Sequence, residues 1–282
     1  CTAPAPLTVR GCLTLSSDSR HLLFGAWLGD GRTEGAPWGA YIFDLEGGTW
    51  RTIEFGNGFR NMHCQYSKNP AAPYDVSLIG SDGRLSDGSW LTPPDGSWRW
   101  QNMPPPFPRG EGALTAHHVV RDDGTDWRMV PLGDGGDIVS GGHNGFLGDG
   151  DRLFCAVYDV RGGRWRSPVF EAAPVALPGG RENPEYWRGQ HAAGVPQPVD
   201  LSRKLARADS CHLACDLSGR HFVSDTDGYV EGKYSFLWIA TRIESADEDP
   251  WLKAAYLLLT RSSYKGQPSH AHPLLSPDAR FV

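Results

Sequence analysis

The densest group of side chains that could bind a metal ion lies late in the chain, at Gln267, His270 and His272. In an extended segment residues two apart project to the same side, so the two imidazoles would point together. Gln267 adds an amide oxygen from the preceding turn, and imidazole nitrogen and amide oxygen are both ligands of divalent cations. The segment therefore predicts part of a metal site, with a metal-free polar lining of a channel as the alternative.

Three further histidines stand in the same place relative to a repeated turn. His212 precedes one copy of the turn as His272 precedes another, and His63 and His143 precede two more. Because equivalent positions of stacked repeats lie side by side, His212 is the predicted third imidazole of the metal site. His63 and His143 would extend a ring of imidazoles whose proton affinity burial and neighbouring charge can tune, although a single histidine at a strand start is commonly structural.

Aromatic and histidine side chains elsewhere offer a second set of groups for proton transfer. His117 and His118 are adjacent, and since neighbours on a strand face opposite ways, at most one of them faces the channel. Tyr186 and Trp187 follow in a later loop, where they could stack on a sugar, supply a phenolic proton or simply pack.

A compact basic cluster, Arg203, Lys204 and Arg207, lies shortly before His212. An arginine offers two parallel hydrogen bonds to a carboxylate, so this cluster indicates an anionic substrate. The alternative is a solvated loop.

The elements that must position these residues are short strands and turns. A turn that carries Asp or Ser, then a small residue, then an Arg and an apolar strand recurs at 15–24, 147–154, 215–223 and 275–282. Such a segment is typical of a hairpin, in which the polar side chain caps the turn and the small residue tolerates its unusual dihedral angles. Two copies continue into closely similar strands and turns, at 41–50 and 156–165.

This repetition predicts an all-β fold, a β-propeller that forms a single domain over residues 1–282. At about 40 to 50 residues per blade the chain has room for five or six blades. Our expectation for the whole fold is about seven blades, with either the closing blade shared between the two ends or residues missing. The window 247–259 favours a strand over a helix, and 104–108 and 174–199 are predicted loops.

Composition excludes several classes of partner. The net charge is −6 and there is no block of Lys and Arg, so no nucleic-acid footprint is present. The longest apolar run, at 254–259, is far too short for a membrane helix. The compartment stays open between cytoplasm and export.

The spaced motifs resemble the oligogalacturonate lyases, a family of metal-dependent β-propeller enzymes that cleave acidic pectin fragments. The resemblance rests on His63 with Ser67 and Pro70, on Gly142-His143, on His212 before a turn, and most specifically on Gln267-x-x-His270-x-His272-Pro273. It implies that Gln267, His270, His272 and His212 bind a divalent cation, with manganese first and zinc or calcium as alternatives. One departure concerns substrate identity: Asn144 follows His143 where that family usually has Glu.

A weaker resemblance links the order His117 or His118, His143, Tyr186, Arg207, His212 to the propeller ulvan lyases. Both resemblances imply a lyase that removes the C5 proton of a uronic acid in an acidic oligo- or polysaccharide and expels the C4 oxygen. His143 would be the base, Tyr186 or His118 the acid, and Arg207 the carboxylate ligand, with His63 in the same catalytic group.

Two other functions compete with the lyase. A propeller can be a non-catalytic module that binds glycan or protein. A glycoside hydrolase would need two carboxylates at a set separation; Asp137, Asp209 and Glu185 are available, but nothing in the sequence pairs them.

Overall fold

The structure is a computed structural model. It describes residues 8–28, 37–56, 62–80, 116–132, 138–159, 169–183, 185–186, 192–201, 204–205, 212–225, 235–245, 247–260 and 272–282. The described residues form strands and turns, with short 3-10 segments at Gly180–Glu182, at 185–186 and at Pro250–Lys253, and no α-helix.

The strands of the described residues build four antiparallel sheets, which we call blades 1 to 4. Blade 1 contains β1 (Thr8–Leu15), β2 (His21–Trp27), β3 (Trp38–Asp44) and β4 (Thr49–Gly56) in that order. Blade 2 contains β5 (Gln65–Tyr66), β6 (Asp75–Gly80), β7 (Ala116–Arg121), β8 (Arg128–Val130) and, on its outer edge, β12 (Val175–Ala176).

Blade 3 contains β9 (Ile138–Phe146), β10 (Leu153–Asp159), β11 (Val169–Ala172) and the outer β13 (Val199–Asp200). Blade 4 contains β14 (Leu213–Cys215), β15 (His221–Asp225), β16 (Ser235–Thr241) and β17 (Ala254–Thr260). The strand expected within 247–259 is therefore confirmed. The predicted loop at 174–199 instead contributes an outer strand to each of two blades.

The hydrophobic core lies between successive blades, as the alternation of apolar residues along each strand requires. Leu23 and Ile42 of blade 1 pack with Val76 and Leu78 of blade 2. Further groups of buried residues join blade 2 to blade 3 and blade 3 to blade 4. Antiparallel sheets of four or five strands that pack face to face in chain order form a β-propeller, so the predicted fold class is confirmed. The expected number of seven blades stays a prediction.

None of the helices that the described residues form is long and apolar enough to cross a membrane.

Candidate functional site

The innermost strand of each blade runs into the repeated turn, and one backbone hydrogen bond defines where that turn begins. The first turn residue donates its N–H to the carbonyl that closes the hairpin. The bonds are Ser16 to His21 (2.9 Å), Ser67 to Asp75 (2.7 Å), Leu147 to Arg152 (2.8 Å), Asp216 to His221 (3.1 Å) and Ser276 to Phe281 (2.9 Å). The residue four positions before each of these donors is Cys12, His63, His143, His212 or His272. Four of five equivalent positions are therefore histidine.

The polar side chains of the turns cap them as the sequence predicts. The side-chain oxygens of Ser16, Asp216 and Ser276 accept the N–H of the residue that starts the second strand, at 2.8, 3.0 and 2.9 Å. The small residue of each turn, Ser19, Gly219 or Ala279, has a positive φ of 59°, 65° or 56°. These turns set the register of the inner strands, and with it the height of each histidine.

The four histidines lie in a row. The ring centroids of His63 and His143 are 5.4 Å apart, those of His143 and His212 are 4.2 Å apart, and those of His212 and His272 are 3.7 Å apart. The row lines a cavity of about 560 Å³, which is large enough for a sugar. The repeat equivalence that motivated the ring of imidazoles thus places His63, His143, His212 and His272 together.

Hydrogen bonds between blades hold this row. Gln65 of blade 2 donates from Nε2 to the carbonyl of Asn144 in blade 3, at 2.9 Å. The turns are also linked, since Asp149 donates its N–H to the carbonyl of Leu217 (2.9 Å) and Leu217 donates to that of Pro277 (3.2 Å). The strand starts therefore rest on a connected backbone framework rather than on separate loops.

His63 is half-buried, and burial lowers its pKa below the ordinary value for histidine. The imidazole is therefore neutral at neutral pH, the form that accepts a proton or binds a metal. Its backbone has a φ of 43°, a left-handed conformation that few non-glycine residues adopt. Backbone outliers of this kind cluster at functional sites.

His212 is buried and held by a carboxylate. Its Nδ1 lies 2.9 and 3.1 Å from the two carboxylate oxygens of Asp225, and its backbone N–H donates to Asp225 Oδ1 at 2.7 Å. Both residues are at most 5% exposed. A carboxylate at Nδ1 holds the proton there, so the lone pair of the neutral ring is on Nε2.

Two residues that line the cavity were not among the predicted site residues. Lys68 is exposed, lines the cavity and donates from Nζ to the carbonyl of Cys215 at 3.3 Å, which places a positive charge on the lining. Asn144 also lines the cavity and is 3% exposed, and neither atom of its amide has a hydrogen-bond partner. Lys68 could have been predicted from its position in the turn that follows His63, because that turn lies next to the strand that carries His63.

His117, His118 and Tyr186 lie in a different place. His118 Nδ1 is 2.8 Å from the hydroxyl of Tyr186, and the two rings stack with centroids 5.5 Å apart. Tyr186 is 1% exposed, and the residues that line the cavity include none of these three. Burial lowers the pKa of His117 and of His118 to about 3, with a smaller effect of His63 on the former. Burial also raises the pKa of the Tyr186 phenol, so this group stays neutral.

The remaining predicted site residues are Arg203, Arg207, Trp187, Gln267 and His270, and they lie outside the described residues. Lys204 is described and exposed. Within the described part of the chain, no group of three or more His, Cys, Asp or Glu is arranged to hold a metal ion. The donor chemistry of His212 and His272 nevertheless fits a divalent cation, since both are imidazoles and a carboxylate backs one of them.

No protein-family model matches the sequence, and no curated protein does. Among solved structures, the chain is similar to the oligogalacturonate lyase of Vibrio parahaemolyticus, with a TM-score of 0.57 and 14% sequence identity. The alignment covers 99% of this chain and 62% of that one, so this chain spans less than two thirds of that enzyme's length. At this identity the likeness shows the fold alone, a β-propeller.

Two weaker matches follow. A periplasmic gluconolactonase of Pseudomonas aeruginosa aligns with a TM-score of 0.40 and 15% identity, over 95% of this chain and 62% of that one. An acylaminoacyl peptidase of Pyrococcus horikoshii aligns with a TM-score of 0.45 and 10% identity, over 81% of this chain and 30% of that one.

Proposed function

We propose that this chain is a lyase that cleaves a uronic-acid-containing oligo- or polysaccharide by β-elimination. The observation that carries the proposal is the row of four imidazoles, supplied by equivalent positions of successive repeats and lining one cavity. A fold needs no histidine at these positions, since blade 1 has Cys12 at the same place. Their convergence therefore supports a chemical role rather than a structural one.

The reaction needs a base for the C5 proton and an acid for the C4 oxygen. His143 lies in the middle of the row, with His63 on one side and His212 on the other, and it is the proposed base. His63, neutral and adjacent, is suited to share proton transfer with it. In this arrangement the base takes the C5 proton, the C5–H electrons form the C4–C5 double bond, and the C4 oxygen leaves with a proton from its acid.

The acid is assigned by access to the cavity. Tyr186 holds its proton but is buried against His118 away from the cavity lining, whereas His63 and His143 both line it. Since His63 is neutral, the proton for the C4 oxygen is proposed to be the one that His143 takes from C5, passed on directly or through His63. Tyr186 and His118 are then a packing pair behind the site, and a catalytic Tyr186 is the alternative to be tested.

Negative charge builds on the uronate carboxylate as the C5 proton leaves, and positive groups nearby stabilise it. Lys68 supplies one such charge on the cavity lining, and Arg207 is proposed for the same task. His212 and His272, with Gln267 and His270, are the proposed ligands of a divalent cation, manganese first, which would act as a Lewis acid at that carboxylate when bound.

The test is the ultraviolet absorbance of the unsaturated uronate that β-elimination leaves. Oligogalacturonate, ulvan and other glucuronate-containing glycans form the panel, each assayed with manganese and with excess chelator. A rise on one member that chelator abolishes supports a metal-dependent lyase and names its substrate. A rise in absorbance that chelator leaves unchanged would support the lyase reaction and would contradict the role of the cation.

A non-catalytic glycan-binding propeller is the second candidate, because the cavity of about 560 Å³ can hold a sugar and Lys68 places a positive charge on its lining. It predicts no absorbance change on any glycan, together with a calorimetric heat of binding to one of them. It further predicts that His143→Ala retains binding within about threefold, since a neutral contact at one ring is worth little.

A further inference from the structure

The histidines of the row differ in what stands behind them. In blade 4, the register that pairs Leu213 with Ser224 places Asp225 directly across from His212. In blade 2, Ile79 of β6 donates its N–H to the carbonyl of Met62 at 2.8 Å, so the residue of β6 beside this strand start is apolar. In blade 3, Cys155 pairs with Asn144, and the next residue of β10 is Ala156. Among these three blades a carboxylate occupies the position in blade 4 alone.

The carboxylate of Asp225 contacts His212 through both of its oxygens. Oδ1 accepts the backbone N–H of His212 at 2.7 Å, and both oxygens contact Nδ1 of the ring, at 3.1 and 2.9 Å. The backbone contact fixes the start of β14, and the two ring contacts fix the orientation of the imidazole. Burying a carboxylate costs free energy, and the strands beside His63 and His143 pair without one there.

We propose that Asp225 is a positioning residue, which fixes the Nδ1–H tautomer of His212 and directs its Nε2 to a divalent cation. The inference rests on the proposed function, in which His212 is a ligand of that cation. It adds a residue to the site that lies one strand behind the cavity. It also distinguishes His212 from His63 and His143, the proposed proton-transfer groups, beside which the neighbouring strand has no carboxylate residue.

The experiment begins with the wild-type chain without metal. Two-dimensional nuclear magnetic resonance that correlates the ring nitrogens and carbon-bound protons of histidine identifies the tautomer, and loss of one spin system in His212→Gln assigns it. We expect a protonated Nδ1 and a bare Nε2 for His212. A protonated Nε2 would overturn the inference, and this measurement needs no variant of Asp225 to fold.

Calorimetric titration of the metal-free protein with manganese or zinc alone then measures cation affinity. Asp225→Asn should weaken binding by about 10- to 100-fold, the usual cost of losing the carboxylate behind a ligating histidine. Asp225→Glu, which retains a carboxylate, should recover part of that loss. The matched control is Thr241→Val, which removes the oxygen 2.9 Å from Nδ1 of His221 on the same sheet and should leave affinity unchanged.

The outcomes separate this inference from the proposed function. Equal cation affinity in the wild type and Asp225→Asn, with a folded variant, overturns the role of Asp225 and leaves the lyase standing. If the wild type binds neither cation, Asp225 has no cation towards which to orient His212. That result would overturn the inference together with the metal-dependent form of the proposed function.

Discussion

Two groups of histidines occupy this propeller, and their surroundings are opposite. His63, His143, His212 and His272 each stand four residues before the turn of a repeat, around a cavity. His117 and His118 stand within β7 of blade 2, each 1% exposed, and burial lowers the pKa of both to about 3. The place of a histidine in the repeat, rather than its neighbours in the sequence, therefore decides whether its side chain lines the cavity.

The largest effect should come from the centre of the cavity row. His143→Ala removes the proposed base, and the loss of a positioned base typically costs about 10²- to 10⁴-fold in rate. The rate of unsaturated uronate formation measures it on whichever glycan of the panel the wild type cleaves. His143 is half-buried, so the variant should fold, which circular dichroism checks. Activity near that of the wild type would remove His143 from the reaction.

The buried pair should control stability at acid pH. His117 and His118 remain neutral in the folded chain down to a pKa of about 3, whereas in the unfolded chain they titrate near 6.5. The unfolded state therefore binds more protons below pH 6.5, so stability is fully present above that value and falls towards pH 3. Each such group contributes a slope of about 1.4 kcal/mol per pH unit.

Urea unfolding between about pH 6.5 and 5.5 measures this slope above the range in which most carboxyl groups titrate. His118→Phe retains a ring against Tyr186 and removes one titrating group, so its free energy of unfolding should fall less steeply with decreasing pH. A slope equal to that of the wild type would show that His118 is not held neutral by burial.

A smaller effect distinguishes the two roles considered for Tyr186. Tyr186→Phe removes the hydroxyl that lies 2.8 Å from His118 Nδ1 and should lower the free energy of unfolding by about 1 kcal/mol. As a packing residue it should leave the lyase rate within about twofold, whereas a catalytic acid would cost about 10²-fold or more. Measuring the lyase rate and urea unfolding on the same preparation distinguishes the packing role from the catalytic role. A loss of rate of about 10²-fold or more would mean that Tyr186 is a catalytic residue.

The sequence predicted the cavity row because it is a property of the repeat. Once the turns are aligned, the four histidines of the row, His63, His143, His212 and His272, occupy equivalent positions. Equivalent positions of stacked repeats lie side by side, so the four rings are expected to come together. Asp225 could not be predicted in this way, since its relation to His212 is a cross-strand register that appears only when β14 and β15 pair. The same holds for Tyr186, whose contact with His118 joins residues 68 apart and depends on a loop that packs behind blade 2.

The smallest effect tests the turns on which the repeat alignment depends. Ala279 has a φ of 56° and Gly219 has a φ of 65° at the equivalent place, so the two turns impose the same left-handed backbone on different residues. Ala279→Gly should raise the free energy of unfolding by up to about 1 kcal/mol, because glycine has no Cβ penalty there. Gly219→Ala should lower it by a similar amount or more, since the new Cβ would also meet Leu147 Cγ at 3.4 Å. Opposite signs in urea unfolding would support one shared turn geometry beneath His212 and His272. Equal signs would mean that the two turns differ and that the alignment placing these histidines side by side needs another basis.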